Sequence, residues 1–235
     1  MKPKICIPIV GKNNQEIIEQ VQESLHYTYD LLELRIDYYQ DILDFQKVKD
    51  IIIQIKSICS KPLLFTYRSK REGGEIQLTD EQYLELISSI VSDVDIVDIE
   101  LMSGNTLVYQ LVDRVHQHQK QVIMSYHDFE STPDLKEIKD QLEYMEIMGG
   151  DILKVAYMPR SYKDVVCVMN ATLEMSNKLT KPIVTMAMGE IGKITRLCGE
   201  LTGSAMTFAC LGKSSAPGQI SVEHMHELLE VIHHD

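Results

Sequence analysis

Apolar runs rich in Ile, Val and Leu recur along the chain, and the stretches between them carry apolar residues at helical spacing. The runs are KICIPIV (4–10), LLELRI (31–36), PLLFTYR (62–68), DIVDIEL (95–101), QVIMSYH (121–127), DILKVAY (151–157), PIVTMAM (182–188) and SAMTFAC (204–210). Short continuous apolar runs suit strands buried on both faces, and amphipathic segments between them suit crossover helices, together the signature of βαβ units and a parallel sheet. Amphipathic examples are NQEIIEQVQESLHY, TDEQYLELISSIVSD, TLVYQLVDRVHQHQ, PDLKEIKDQLEYMEIMG, YKDVVCVMNATLEMSNKL and SVEHMHELLEVIHH. Eight alternations in 235 residues predict an α/β protein, a single-domain (β/α)8 TIM barrel over residues 1–235. An open doubly wound sheet is the alternative to that closed barrel.

Local signals mark some boundaries. Thr132 is the expected N-cap of the helix in TPDLKEI, with Pro133 at its first position, and Gly149-Gly150 is its expected stop. Pro62 and Pro182 open strands, where a missing N–H is tolerated.

Composition narrows the function classes. A hydrophobic content of 44% with 25% charged residues fits a soluble globular chain. The formal net charge of −12 argues against nucleic-acid and anionic-membrane partners, which need a basic patch. An anionic substrate must then be held by locally placed arginines. The opening MKPKICIPIVGKN is too short an apolar run for a signal peptide and no other segment is long enough to span a bilayer, so a cytoplasmic protein is expected. Cys6, Cys59, Cys167, Cys198 and Cys210 are scattered and never form CxxC, which indicates neither a disulfide framework nor a zinc knuckle.

In a (β/α)8 barrel the site is built from the C-terminal strand ends and the loops after them. Those ends carry Glu33 and Arg35, Arg68 with Glu72 in the next loop, Asp98 and Glu100, Ser125 and His127, Lys154, and Met186 and Met188. Polar pairs spaced by two point to one face of the sheet. Lys154 interrupts the run ILKVAY. Enclosed in a barrel it loses hydration, which favours a neutral amine able to attack a carbonyl; the alternative is a stem that snorkels outward. His127 suits proton transfer near neutral pH or a structural role, and Asp98 is the expected carboxylate to hold its tautomer, with Glu100 competing. Glu33, Arg35, Arg68 and Arg196 could bind a polyhydroxylated acid, or form ordinary salt bridges. SSAPGQ (214–219) has the composition of a closing loop or of a plain connector. His116, His118, His224, His226, His233 and His234 fall in helical stretches or the tail without HExxH, so no metal site is expected. The glycines of REGG and TGSA match no phosphate loop.

The ordered set ELRID (33–37), TYRSKREGG (66–74), SYHDF (125–129), LKVA (153–156), MAMG (186–189), Arg196 and SSAPGQ resembles type I 3-dehydroquinate dehydratase over almost the whole chain. The resemblance implies dehydration of 3-dehydroquinate in the shikimate pathway, with Lys154 forming an imine at the C3 ketone and His127 moving the C2 proton. It implies substrate contacts from Glu33, Arg35, Arg68, Arg196, Ser215 and Gln219, with Glu72 grouped with the catalytic pair. Asp98 would orient His127, and Met186, Met188 and Phe208 would form the apolar wall. No cofactor is implied, and family members are commonly homodimers. A class I aldolase-like Schiff-base lyase and a non-catalytic ligand-binding barrel are the competing readings.

Overall fold

The computed structural model describes residues 2–212 and 214–233. β1 (Lys4–Ile9) leads through α1 (Asn14–Ser24) to β2 (Leu31–Arg35), and the step repeats through α2 (Phe45–Ile58), β3 (Leu63–Thr66), α3 (Asp80–Ile90) and β4 (Ile96–Glu100). It continues with α4 (Asn105–Gln117), β5 (Gln121–Asp128), α5 (Leu135–Ile147), β6 (Ile152–Tyr157), α6 (Tyr162–Lys178) and β7 (Ile183–Ala187). A short α7 (Gly199–Thr202) precedes β8 (Met206–Cys210), then β9 (Ile220–Ser221) and α8 (Val222–Ile232). The eight expected strands fall on β1–β8, and every neighbouring pair is parallel.

β1 pairs with both β2 and β8, which curls the sheet into a TIM-barrel-like ring. The ring closes between β7 and β8 at a thin seam: a single bridge joins Ile183 and Ser204, and the Ala205 N–H donates to the Ile183 carbonyl at 2.8 Å. β9 adds a two-residue pairing to β8 beyond the ring.

Two apolar layers hold the ring. Outside it, helix residues such as Ile17, Val21, Ile51, Ile87, Leu111 and Leu142 pack on the outward strand positions. Inside it, Cys6, Leu31, Leu64, Ile96, Ile123, Val184 and Met206 fill the lower half. Burying each large aliphatic side chain contributes about 1.5–3 kcal/mol. α2, which no single sequence signal marked, buries Val48, Ile51, Ile52 and Ile55 at helical spacing.

The start of α5 differs from expectation. Its N-cap is Asp134, not Thr132, and Pro133 stays outside the helix. Asp134 accepts the Glu137 N–H at 2.9 Å while the Glu137 carboxylate accepts the Asp134 N–H, a reciprocal capping box that satisfies two helix-end donors where Thr132 would satisfy one. The stop is as expected: Gly149, at φ +92°, takes the left-handed conformation after the last turn. No described helix is long and apolar enough to cross a membrane.

Candidate active site

Lys154 lies on β6 inside the ring and is 4% exposed. Its Nζ is 3.5 Å from Asp98 Oδ2 on β4 and 4.4 Å from the ring centre of Phe208 on β8. Asp98 is fully buried; its Oδ1 accepts from Arg68 Nη2 at 2.8 Å and from Ser125 Oγ at 2.6 Å. Arg68 Nη1 also donates to Glu100 Oε1 and Ser125 Oγ, each at 3.0 Å. Burial alone would raise the Asp98 pKa, but Arg68 and then Lys154 more than offset it and hold the carboxyl below its usual range. Removing one partner from a buried charged network of this kind typically costs about 3–5 kcal/mol, because the other is left uncompensated.

His127, next to last on β5, lies beside this network. Its Nδ1 is 3.0 Å from Glu72 Oε2, and the same oxygen accepts the His127 backbone N–H at 3.1 Å. An oxygen already accepting from an amide is the natural acceptor for Nδ1–H as well, which leaves the Nε2 lone pair bare. Glu72 comes from a 3-10 turn, Lys70–Glu72, that follows β3 and ends at Gly73 with φ +86°. A Cβ on Gly73 would sit 2.6 Å from the Phe129 ring, so both the backbone sign and the close approach require glycine there.

From the sequence, Asp98 is the expected carboxylate to orient the imidazole. The structure corrects this: Glu72 bonds the imidazole, while the Asp98 carboxylate is taken up by Arg68, Ser125 and Lys154. Parity alone placed Asp98 and His127 on one face and carried no information about the loop that brings Glu72 back over the strand ends. Glu100 is likewise turned away from the imidazole, accepting from Arg68 and from the Ser69 N–H at 2.8 Å.

Burial lowers the His127 pKa well below its usual value, and Arg68, Lys154 and Arg35 push in the same direction, so the imidazole rests neutral. Burial and the nearby Glu100 charge push Glu72 up to about 8 against the pull of Arg68. Glu72 Oε1 is buried with no hydrogen-bond partner among the described residues.

These groups line a cavity of about 500 Å³ at the C-terminal strand ends. Every expected site residue except Asp98 lines it: Glu33, Arg35, Arg68, Glu72, His127, Lys154, Met186, Met188, Arg196, Phe208, Ser215 and Gln219. Asp98 stands beneath. Gly73, Phe129, Ala156 and Ala216 complete the wall and were not singled out in the sequence, being small or apolar residues without a chemical signature. Glu33 Oε1 accepts from Thr66 Oγ1 at 2.8 Å, and Arg35 is forked onto Asp37, the last residue of ELRID, to which the sequence assigns no role of its own.

Arg196 differs from the other arginines. It follows β7 on a 3-10 segment and is 2% exposed, yet among the described residues no carboxylate pairs with it. Nη2 donates to the Pro217 carbonyl at 3.0 Å, Nη1 lies 3.7 Å from Met186 Sδ, and Nε has no partner among the described residues. Desolvation pushes its pKa down to about 10. A buried guanidinium with an open fork is a site for a carboxylate.

The loop at 214–219 packs against the same cavity. Gly189 N–H donates to the Pro217 carbonyl at 3.2 Å, and Gln219 Oε1 accepts the Ser215 N–H at 2.8 Å while its Nε2 donates to Ser215 Oγ at 3.1 Å. Three of the peripheral histidines have other partners: His116 pairs with Asp151 at 2.9 Å, His224 with Ser221 and His233 with Glu200. His234 lies outside the described residues. Among the described residues no group of three or more His, Cys, Asp or Glu side chains is placed to hold a metal ion.

The chain is similar to known proteins along its whole length. Residues 5–235 match the family model described as type I 3-dehydroquinase. A 3-dehydroquinate dehydratase of Listeria welshimeri serovar 6b is 41% identical over 234 residues, covering 98% of this chain and 93% of the relative. The crystal structure of the type I 3-dehydroquinate dehydratase of Clostridium difficile with covalent modified comenic acid is similar at a TM-score of 0.95 and 39% identity, covering 98% of this chain and 92% of that one. The 3-dehydroquinate dehydratase of Geobacillus kaustophilus HTA426 is similar at a TM-score of 0.95 and 36% identity, covering 99% and 91%. With a lysine, a histidine–glutamate pair and an unpaired arginine converging at the mouth of the ring, and with likeness along its whole length, the chain belongs to the type I 3-dehydroquinase family.

Proposed function

We propose that this hydro-lyase dehydrates 3-dehydroquinate to 3-dehydroshikimate through an imine on Lys154, with His127 as the proton carrier, as a step of the shikimate pathway. The observation that carries the reading is a lysine amine enclosed at the centre of the barrel, lining one cavity with an imidazole whose Nε2 has no hydrogen-bond partner among the described residues. The crystal structure of the Clostridium difficile relative with covalent modified comenic acid supports a covalent mechanism.

Lys154 passes one proton to His127 and its amine adds to the C3 ketone; the carbinolamine then loses its oxygen as water, taking that proton back from His127, to give a protonated imine. His127 Nε2 then takes the C2 proton, and the C–H electron pair flows through C3 to nitrogen, leaving a neutral enamine. Return of those electrons forms the C1=C2 double bond and expels the C1 hydroxyl, which leaves as water with the proton from His127. Water then attacks the imine, releasing the enone and restoring the amine. Glu72 holds the imidazole in the tautomer that these steps use. Arg196 receives the substrate carboxylate, Glu33, Arg35 and Arg68 receive its hydroxyls, and Ser215 and Gln219 exchange their mutual hydrogen bonds for substrate ones. Met186, Met188 and Phe208 form the apolar wall against the ring carbons.

The same proposal takes residues 1–235 as one barrel domain, acting in the cytoplasm as a homodimer with no metal or organic cofactor. The test is direct: the product is a conjugated enone, so 3-dehydroquinate mixed with the purified chain should develop ultraviolet absorbance. A folded chain that produces none would remove the reading.

A further inference from the structure

Asp37 is a buried carboxylate at the edge of the cavity, absent from the steps above. β2 ends at Arg35, and the 3-10 turn Ile36–Tyr38 curls the chain so that the carboxylate two residues on faces back to the guanidinium. Arg35 Nε donates to Asp37 Oδ1 at 2.8 Å and Nη2 donates to Oδ2 at 2.9 Å, a two-pronged pair with the Asp37 side chain wholly buried. The Tyr38 ring lies 5.1 Å from Arg35 Cζ and closes another side. Only Nη1 has no protein partner among the described residues, and Arg35 lines the cavity.

The same carboxylate makes a second attachment. Asp37 Oδ2 accepts the Glu75 N–H at 3.2 Å. Glu75 follows Gly73 and Gly74 in the loop that carries Glu72, and Gly74 is packed so closely on the Arg68 carbonyl that a Cβ would sit 1.9 Å from its oxygen. One carboxylate thereby joins the end of β2 to the loop after β3.

We infer that Asp37 is a positioning residue: it fixes the fork of Arg35 so that one amino group is aimed at a substrate hydroxyl, in register with the loop that carries Glu72. A carboxylate is required because two parallel charge-assisted bonds define the guanidinium plane, which one hydrogen bond would leave free to swing. The inference rests on the proposed function for its substrate and on the fold alone for the tether.

A double-mutant cycle tests it. Asp37→Asn should raise KM for 3-dehydroquinate about tenfold with kcat within about threefold of wild type, because a misaimed binding group weakens binding more than chemistry. In an Arg35→Met background, adding Asp37→Asn should leave KM unchanged within about twofold, since the group through which it acts is gone. Asp37→Glu keeps the charge and should recover part of the loss; it also serves if Asp37→Asn fails to fold. An equal KM penalty in both backgrounds would overturn the inference and assign the effect to the Glu75 attachment. A second readout needs no turnover: the Arg35 Nε–H resonance should exchange slowly with solvent in the wild type and quickly in Asp37→Asn. Slow exchange in both would sink the tether, whereas a wild type that exchanges slowly but does not dehydrate 3-dehydroquinate would overturn only the functional reading.

Discussion

The lower and upper halves of the ring are built from the same strands and the same inward-facing positions, yet they hold opposite kinds of side chain. Leu31, Leu64, Ile96, Ile123 and Val184 fill the lower half. Two residues further along each strand stand Glu33, Thr66, Asp98, Ser125 and Met186, and two further still Arg35, Arg68, Glu100, His127 and Met188. A strand keeps its face every second residue, so a single sheet delivers a dry floor and a charged ceiling from one continuous parity. The floor excludes water from beneath, and charges above a dry floor act on one another more strongly than they would in solvent. The ceiling itself divides: β2 to β6 and the loops after them supply most of the charged groups, while β7 and β8 supply Met186, Met188 and Phe208, with Arg196 added by the segment after β7.

If the ceiling performs chemistry and the floor stability, substitutions should separate the two. Lys154→Ala should lower kcat by roughly 10⁵-fold, the scale seen when a covalent nucleophile is lost, while substrate affinity measured by calorimetry partly persists. His127→Ala should slow turnover about 10²–10⁴-fold and let a covalent adduct accumulate, visible by intact-protein mass. Arg196→Ala should raise KM about 10–100-fold with a smaller change in kcat; an unaltered KM would move the carboxylate site elsewhere. In the floor the pattern should invert. Ile123→Ala should cost about 2–5 kcal/mol of unfolding free energy in denaturant titrations while kcat well below the melting temperature stays near wild type.

Glu72 gives the smallest and sharpest contrast, because its effect on stability depends on pH. Its folded pKa of about 8 lies above the ordinary value of 4.5, so the native state keeps a proton that the unfolded chain has lost. Its contribution is therefore fully present below about 4.5 and falls as pH rises toward 8, by at most about 1.4 kcal/mol per pH unit. Glu72→Gln has no proton to release, so the stability difference, variant minus wild type, should grow across that window. A flat difference would mean that Glu72 is ionised throughout.

Much of this division could be read from the sequence. The eight apolar runs gave the strands because parallel strands buried on both faces tolerate few polar residues, and each polar interruption then marked the ceiling. Lys154 inside ILKVAY is the clearest case. What could not be read depends on how loops fold back. The pairing of His127 with Glu72 needs the 3-10 turn and Gly73 after β3, and the pairing of Asp37 with Arg35 needs a turn at the end of β2. Both lie outside any strand or helix period. The α5 start was misplaced for a related reason: Thr132-Pro133 and Asp134 with Glu137 are both good capping signals, and only reciprocal hydrogen bonding separates them.

The central claim is that the lysine enclosed at the centre of the barrel forms a covalent bond with the substrate. Incubating the protein with 3-dehydroquinate and borohydride, then measuring intact mass and mapping peptides, tests it most directly. The account predicts one reduced adduct, located on Lys154, with a mass that includes the loss of water from the ligand beyond imine formation. A folded, active protein with no adduct, or with its adduct on another lysine, would contradict it.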